Sequence, residues 1–140
     1  MCIFCKIING EIPSKKVYED ENVLAILDIS QATKGHTLVL PKKHYENLLC
    51  IDNDNYLNVM ASVKKVTGIL NKAFKPEGFN ILNNCNEVAG QTVMHFHVHI
   101  IPRYVKDDIK IEFEAHSYNL DNVLNEIKEK NNDWAFSSCR

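Results

Sequence analysis

Residues 94–103 read Met-His-Phe-His-Val-His-Ile-Ile-Pro-Arg, so three histidines alternate with apolar residues over five positions. Successive side chains of an extended strand point to opposite faces, which would place His95, His97 and His99 on one face. A helix would instead turn each residue by ~100° relative to the last and separate the three imidazoles. The alternation therefore predicts a strand with a histidine face and an apolar face.

The spacing of the histidines limits what they can bind together. At a rise of ~3.3 Å per residue, the backbones of His95 and His99 lie ~13 Å apart, which is far for one metal whose bonds to nitrogen are ~2 Å. At most two of the three can therefore share a metal. The third needs another role, and an imidazole with an unperturbed pKa of ~6.5 is a competent nucleophile or proton carrier at neutral pH.

Length and composition are those of one globular domain of 140 residues, with 45% hydrophobic and 24% charged residues. The net charge of −2 provides no broad basic field that would attract nucleic acid or an anionic membrane, so neither is expected as a partner. The sequence shows no export signal, and no apolar run approaches the ~20 residues that cross a bilayer. A cytoplasmic location is therefore predicted.

The apolar pattern predicts several strands and one long helix. Residues 52–74 carry the stripe of an amphipathic helix, formed by Tyr56, Met60, Val63, Thr67, Leu70 and Phe74. Short helices are predicted within residues 2–12 and around 120–127. Strands are predicted at 16–19, 22–28, 36–41 and 79–84 and through the histidine stretch. Because the helices interrupt the strands irregularly, an α+β class with an antiparallel sheet is favoured over a βαβ array.

Cys2 and Cys5 form a Cys-x-x-Cys pair near the N-terminus. Two thiolates three residues apart can share one cation, and two imidazoles can complete a tetrahedral zinc site. The candidate ligands are Cys2, Cys5, His44 and His95. Two alternatives remain for the cysteines, which could be small buried apolar residues or a redox pair. The odd count of five cysteines argues against a disulfide framework.

A short polar loop precedes the histidine stretch. Residues 89–92 read Ala-Gly-Gln-Thr, and a glycine beside a hydroxyl and an amide can hold a phosphate through backbone N–H groups. The simpler alternative is that Gly90 only makes the turn before a strand.

Residues 95–101 read His-Phe-His-Val-His-Ile-Ile, which resembles the His-φ-His-φ-His-φ-φ signature, with φ apolar, of the histidine triad (HIT) family of nucleotide-binding hydrolases and transferases. Further stretches are similar to its Hint-like branch, at residues 2–8, 28–30, 35–44 and 90–93. The resemblance runs from about residue 2 to 104 and implies a HIT-like fold in a single domain of residues 1–140. The C-terminal extension, residues 105–140, carries no motif of the family.

The resemblance implies a division of roles among the histidines. His97 would attack the α-phosphorus of a nucleotide and give a nucleotidyl-histidine, which water or another acceptor resolves. His99 and His36 would hold the phosphate and assist proton transfer. His95 would orient His97 and, in members with the N-terminal Cys-x-x-Cys, ligate a structural zinc with the other three candidate ligands. No catalytic metal is expected.

The resemblance also implies a nucleotide pocket. Asp28 resembles the acid that accepts ribose hydroxyls, although it could equally be a turn residue. The base-pocket positions are occupied by five apolar residues that could also be plain core: Ile3, Phe4, Ile7, Ile26 and Ile29. Contacts to the phosphate and the leaving group are implied for Asn84, Gln91 and Thr92, beside the backbone of Gly90. Thr92 stands where many relatives have serine, and its extra methyl group would narrow the leaving-group side.

These implications lead to one functional prediction with two rivals. The chain would be a hydrolase or transferase that acts on an adenosine or guanosine monophosphate joined to a leaving group, through covalent catalysis at His97. A dinucleoside polyphosphate hydrolase would differ only in the leaving group, and a nucleotide-binding regulatory protein would show little turnover. The family commonly forms two-fold dimers, so we expect a homodimer whose shared face comes from the long helix and its neighbouring strand.

Overall fold

A computed structural model describes residues 2–131 of the chain. Its elements, in chain order, are α1 (Ile3–Ile8), β1 (Lys16–Glu19), β2 (Val23–Leu27), β3 (Thr37–Pro41), α2 (Asn53–Phe74), β4 (Gly78–Leu82), a 3₁₀ turn (Glu87–Ala89), β5 (Val98–Arg103) and α3 (Leu120–Lys130). The strands form one sheet in the order β1-β2-β3-β5-β4, and each neighbouring pair is antiparallel. The predicted α+β class is confirmed.

The two faces of the sheet are both covered, which explains why β2 and β3 are continuous apolar runs. Along β2, Val23 and Ala25 point to the cluster that contains the buried side of α2. The alternate residues Leu24 and Ile26 point to a second cluster, in which Phe4 of α1 is buried. The sheet therefore lies between the long helix and the short N-terminal helix.

Helix α2 packs a stripe of apolar side chains on the sheet. The buried apolar residues of this helix are Val59, Val63, Val66 and Leu70. Of the predicted stripe, Val63 and Leu70 are buried, and Tyr56, Met60 and Phe74 pack partly buried against the same core. The prediction missed Val59 and Val66, so the centre of the buried face lies to one side of the predicted stripe. Full burial of each such side chain stabilises the fold by roughly 1.5–3 kcal/mol. The helix ends at Lys75, whose φ of 47° is left-handed.

The ends of α1 are fixed by local hydrogen bonds. The Cys2 Sγ accepts the backbone N–H of Cys5 at 3.2 Å, so a candidate metal ligand also caps the helix. The helix stops at Asn9, and Gly10 follows with a φ of +79°. A helix of six residues is too short to be stable in isolation, so its order depends on what it packs against.

Strand β5 begins only at Val98, so the prediction of one strand through all three histidines is wrong at its start. The ladders with the neighbouring strands end at the pairs Val39↔Val98 and Leu82↔His99. His95 and His97 therefore precede the sheet and have no strand partner. The apolar alternation nevertheless persists, because Phe96 is buried in the same cluster as Val98.

The chain divides into two compact units, one ending at Asp107 and the other beginning at Asp108. In the described part of the second unit, α3 starts after Asn119, whose side chain accepts the backbone N–H of Asn122 at 3.0 Å. The span of a single domain over residues 1–140 stays a prediction. Within residues 2–131, no helix is both long enough and apolar enough to cross a membrane.

Gly35 allows the loop before β3 to lie against the end of α2. Its φ is +96°, and a Cβ at this position would lie 2.8 Å from the Phe74 ring and 3.2 Å from Pro102. Gly10 has a similar φ of +79°, but a Cβ there would meet nothing within 4 Å. The two glycines share the left-handed backbone and differ in the space around them.

We expect Gly35→Ala to lower the free energy of unfolding by about 1–3 kcal/mol more than Gly10→Ala, measured by urea denaturation. Both substitutions carry the left-handed penalty of about 1–2 kcal/mol, and only Gly35→Ala adds overpacking against the Phe74 ring. Equal losses for the two variants would show that the close approach of Phe74 does not constrain this loop.

Candidate active site and metal centre

Two cysteines and two histidines converge beside α1. The Cys2 and Cys5 Sγ atoms lie 3.1 Å apart, and the His44 and His95 Nδ1 atoms lie 3.1 Å apart. The four sulfur–nitrogen distances are 3.5, 3.5, 3.4 and 3.6 Å. Around a tetrahedral ion with bonds of about 2.3 Å to sulfur and about 2.0 Å to nitrogen, a sulfur and a nitrogen would lie roughly 3.5 Å apart, which the four sulfur–nitrogen pairs match. The two sulfurs would separate to roughly 3.8 Å and the two nitrogens to roughly 3.3 Å when an ion binds. The four side chains could therefore hold one metal ion.

The second nitrogen of His95 fixes which ring atom faces this cluster. His95 Nε2–H donates to the Pro41 carbonyl oxygen at 2.9 Å, and the side chain is fully buried. The proton on Nε2 leaves the Nδ1 lone pair for an ion, which is the usual arrangement of a metal-bound histidine. The position of the ring thus suits a ligand without further rearrangement.

His97 is held in one tautomer by its own backbone. Its Nδ1–H donates to the His95 carbonyl oxygen at 2.7 Å, which leaves Nε2 with a free lone pair. The edge of the ring meets the Phe4 ring at a centroid distance of 5.0 Å, and burial lowers the pKa of His97. The ring is therefore neutral at pH 7 and presents a nucleophilic nitrogen.

His36 and His99 form a hydrogen-bonded pair. The backbone N–H of Ala32 donates to His36 Nδ1 at 3.1 Å, so the ring proton of neutral His36 is on Nε2. That Nε2–H donates to His99 Nδ1 at 2.9 Å and lies 3.5 Å from the Asp28 carboxylate. Burial lowers the pKa of His36, with Asp28 opposing the shift, and burial with the neighbouring His97 and His36 lowers that of His99 to about 4.

Asp28, His36 and His99 also bring three potential ligand atoms within 4.8 Å of one another. The tautomer of His36 argues against a metal at this group. One ring nitrogen accepts the Ala32 N–H and the other carries the proton, so neither offers a lone pair. Instead, the hydrogen bonds run in one direction, from the Ala32 N–H to His36 and from His36 to His99. Because His99 Nδ1 accepts, the proton of neutral His99 is on its Nε2.

A cavity of about 210 Å³ lies beside these histidines. It is lined by nine residues that the sequence singled out, namely Ile3, Phe4, Ile7, Ile26, Asp28, Ile29, Thr92, His97 and His99. Leu27, Leu38 and Val93 complete the lining. Asp28 has a second role that was the stated alternative, because its Oδ1 accepts the Ser30 backbone N–H at 2.8 Å in a turn.

A second cavity of about 550 Å³ shares six residues with the first, namely Ile3, Ile7, Ile26, Leu27, Asp28 and Ile29. It continues along a segment that sequence reasoning missed, formed by Ile12, Pro13, Ser14 and Lys15. The apolar residue at 12 follows the end of α1 and precedes a proline, and such a pattern does not distinguish a pocket wall from a loop anchor.

The loop before the histidines contributes fewer residues to the 210 Å³ cavity than the sequence suggested. Of the four residues expected to contact phosphate or leaving group, only Thr92 lines it. The Gln91 side chain is 2% exposed and is occupied by three hydrogen bonds, from Asn86 N–H and to the carbonyls of Glu46 and Val93. Gln91 therefore holds the loop together. Asn84 Nδ2 donates to the Gly90 carbonyl at 3.3 Å within the same loop.

Two residues that position the site were not predicted. The Asn83 amide donates to the His97 carbonyl at 2.9 Å, beyond the last ladder pair of β4 and β5. The Gln31 amide donates to the carbonyls of Asp28 and His36 at 2.6 and 2.7 Å. Neither interaction could be read from the sequence, because a hydrogen bond from a side chain to a backbone carbonyl produces no periodic pattern of residue types.

The structure thus defines the class of protein. It is an α+β domain in which His97, just before β5, and His99, within β5, line a largely apolar cavity. A separate Cys₂His₂ cluster is the second feature of the class. The HIT domain matches residues 9–106 of the chain. The chain belongs to this family, and the resemblance seen in the histidine stretch is confirmed.

Several relatives share most of the chain. An uncharacterized HIT-like protein of Methanocaldococcus jannaschii is 56% identical over 129 residues, 91% of this chain and 99% of that protein. A protein of Schizosaccharomyces pombe named adenosine 5′-monophosphoramidase is 44% identical over 73% of this chain and 74% of its own length. A protein of Arabidopsis thaliana named adenylylsulfatase is 37% identical over 90% of this chain and 65% of its own length.

Solved structures agree with the fold. A HIT family protein from Bacillus anthracis is 47% identical, with a TM-score of 0.87 over 94% of this chain and 95% of that chain. A zinc-bound histidine triad family protein from Mycobacterium smegmatis is 35% identical, with a TM-score of 0.74 over 82% of this chain and 84% of that chain. The predicted HIT-like fold is confirmed, and the cluster at the N-terminus fits the Cys-x-x-Cys motif of the family.

We expect chelator-treated protein to bind about one Co²⁺ per chain, with the strong visible bands of a tetrahedral site and thiolate charge transfer in the near ultraviolet. Cys5→Ser should lose most of the charge-transfer intensity, because one of the two thiolates is removed. Cys85→Ser is the matched control, since Cys85 is a free, half-buried cysteine outside the cluster. An unchanged spectrum in Cys5→Ser would exclude this cluster as the binding site.

Proposed function

We propose that this protein is a purine nucleotide hydrolase or nucleotidyl transferase that cleaves the α-phosphate linkage of nucleoside monophosphate conjugates. The observation that carries the proposal is the 2.7 Å hydrogen bond from His97 Nδ1–H to the His95 carbonyl, which leaves Nε2 as a nucleophile beside the cavity. The relatives named adenosine 5′-monophosphoramidase and adenylylsulfatase support the substrate class.

The proposed reaction has two displacements at phosphorus. His97 Nε2 forms a bond to the α-phosphorus while the bond to the leaving group breaks, and the leaving group takes up a proton that enters the site with the substrate. The His36 and His99 pair, joined at 2.9 Å, assists that proton transfer and holds the phosphate. Water or another acceptor then forms a bond to the phosphorus while the bond from His97 Nε2 to phosphorus breaks. The acceptor gives up a proton to solvent, the nucleotide leaves, and His97 keeps the proton on Nδ1 throughout.

The cavity supports a ribonucleotide as the bound part of the substrate. The isoleucines at positions 3, 7, 26 and 29 provide apolar surface for a purine, and the side chain of Ile29 is fully exposed. Asp28 lines the same cavity, with its carboxylate 3.5 Å from His36 Nε2, and provides an acceptor for the ribose hydroxyls. The site residues named from the resemblance are proposed in these roles, with Gln91 and Asn84 acting through the loop that they hold.

We propose zinc as the ion of the Cys₂His₂ cluster and assign it a structural role. Two thiolates with two imidazoles are a typical zinc ligand set, and the similar structure from Mycobacterium smegmatis is zinc-bound. The cluster joins α1 to the residues just before β5, so a bound ion would tie together two distant parts of the chain. No step of the proposed reaction needs a catalytic metal, and the cytoplasmic location stays a prediction.

A homodimer is proposed from an exposed apolar surface on α2 and β4. Leu57 is 60% exposed, Ile81 45% and Leu82 42%. A cavity of about 140 Å³ on this surface is lined by Leu48, Tyr56, Met60 and Ile81. A second copy would cover these side chains, and sedimentation velocity measures the resulting mass.

A substrate panel tests the proposed activity and separates it from the dinucleoside polyphosphate and regulatory alternatives. Adenosine phosphoramidate, a sulfate-linked adenosine monophosphate and a dinucleoside polyphosphate are compared by kcat/KM. Preference for the dinucleoside polyphosphate would reassign the leaving group. Tight nucleotide binding without turnover of any compound would support a regulatory protein.

We expect His97→Ala to lower kcat by about 10⁴-fold or more, because the nucleophile is lost, while His99→Ala and His36→Ala lower it by about 10²–10⁴-fold. Mass spectrometry after alkaline denaturing quench should show one added nucleoside monophosphate on the peptide with His97. His116→Ala is the control, since His116 is an exposed histidine distant in sequence from this group. An adduct that persists in His97→Ala would refute the assignment.

We expect Asp28→Asn to weaken adenosine monophosphate binding by about 10-fold to 100-fold, because hydrogen bonds to a charged acceptor contribute about 1.5–3 kcal/mol. The 2′-deoxy analogue should be affected much less, since one of the two hydroxyls is already absent. Titration calorimetry measures both ligands with both proteins. If the variant loses the same affinity for the two ligands, Asp28 acts only as the turn residue that also binds Ser30.

A further inference from the structure

Helix α3 carries apolar side chains that are open to solvent, and none of its 11 residues is buried. The exposed fractions range from 40% to 79% for Leu120, Val123, Leu124 and Ile127. Because a helix turns by ~100° per residue, these positions lie on one side of it, which we call the α3 face. An isolated helix of this length is marginal in water, so a partner that covers the α3 face would also stabilise the helix.

The order of the apolar residues on the α3 face is the same in both directions. Their successive spacings are three, one and three positions, so a two-fold axis between Val123 and Leu124 maps the face onto itself. In an antiparallel pair, Leu120 of one copy would lie opposite Ile127 of the other. An isologous contact requires this self-complementarity, so the α3 face fits a second copy of itself.

The charges of α3 favour the antiparallel direction. Asp121 lies in the first turn and Lys128 in the last, seven positions apart and thus along one edge of the α3 face. In an antiparallel two-fold pair this edge meets the same edge of the other copy, so each Asp121 comes beside the opposite Lys128. On the other edge, Lys130 is already paired with Glu126 of its own helix at 2.9 Å. A parallel pair would instead bring the two acidic first turns to one end, which the helix dipoles also disfavour.

We propose that α3 is a self-association surface, on which two copies of this chain pair antiparallel through the α3 face. This contact is separate from the surface on α2 and β4 that is proposed for the homodimer, and it does not rest on the proposed activity. A contact of four side chains from each copy is small beside the area that a stable dimer buries. We therefore expect the pairing to be weak and to increase with chain concentration.

Zero-length cross-linking of the full chain tests this pairing. Chains labelled with ¹⁴N and ¹⁵N are mixed in equal amounts, diluted so that oligomers dissociate and exchange, and concentrated again. A carbodiimide then joins a carboxylate to an amine in contact with it and takes up the water that is lost. Mass spectrometry should find the peptide of Asp121 joined to that of Lys128, with one member carrying each label. Only a link between two chains produces this mixed product.

We expect Leu124→Lys to lower the yield of the mixed product by about 10-fold or more, because a charge replaces an apolar side chain beside the two-fold axis. Asn125→Lys is the matched control, since it adds the same side chain to the polar side of the helix. The control should keep the yield within about 2-fold of wild type.

Three results would overturn the pairing: no Asp121–Lys128 link, links that never combine the two labels, or equal losses in Leu124→Lys and Asn125→Lys. Failure of the proposed function would be seen separately, as wild type that turns over no nucleotide conjugate and forms no adduct on His97. Either proposal can therefore fail while the other stands.

Discussion

The His95 backbone and side chain connect the two centres of this protein. The His95 ring places Nδ1 in the Cys₂His₂ cluster and donates a hydrogen bond from Nε2–H to the Pro41 carbonyl. The His95 carbonyl accepts a hydrogen bond from His97 Nδ1–H. Because both residues precede β5, sheet hydrogen bonds do not hold them. The position of the proposed nucleophile therefore depends on the cluster, on this carbonyl and on the Asn83 amide that binds the His97 carbonyl.

Most of the fold could be predicted from the sequence because its elements are long or strongly patterned. The helix of residues 53–74 and the antiparallel character of the sheet follow from apolar periodicity and turn residues, whereas the order of the strands in the sheet was not predicted. The start of β5 could not be predicted, since alternation in residues 95–97 survives where the neighbouring strands have ended. Likewise, Val59 and Val66 are the most deeply buried residues of α2 but lay outside the predicted stripe, whose members Tyr56, Met60 and Phe74 form the partly buried edge of the packed face.

The candidate site could be predicted where the residue types and their spacing are compatible with few roles. Three histidines at alternate positions and a Cys-x-x-Cys pair indicated the two centres. The structure brings the four expected metal ligands to one cluster and nine of the other expected residues to one cavity, whereas His36, Asn84, Gly90 and Gln91 do not line that cavity. Gln91 illustrates the limit, since an amide before the histidines could contact a ligand or its own loop, and its three hydrogen bonds serve the loop. The amides of Gln31 and Asn83 donate hydrogen bonds to backbone carbonyls. Such contacts form only when the folded chain brings the two groups together, so the sequence alone does not indicate them.

The six residues of α1 have a consequence for how the two sites influence each other. This helix supplies Ile3, Phe4 and Ile7 to the cavity and Cys5 to the cluster, and it is too short to persist without tertiary contacts. An ion at the cluster and a nucleotide in the cavity would thus both favour the ordered helix. Thermodynamic linkage would then make the two effects reciprocal, so that depletion of the metal would weaken nucleotide binding and a bound nucleotide would raise the affinity for the metal by the same factor.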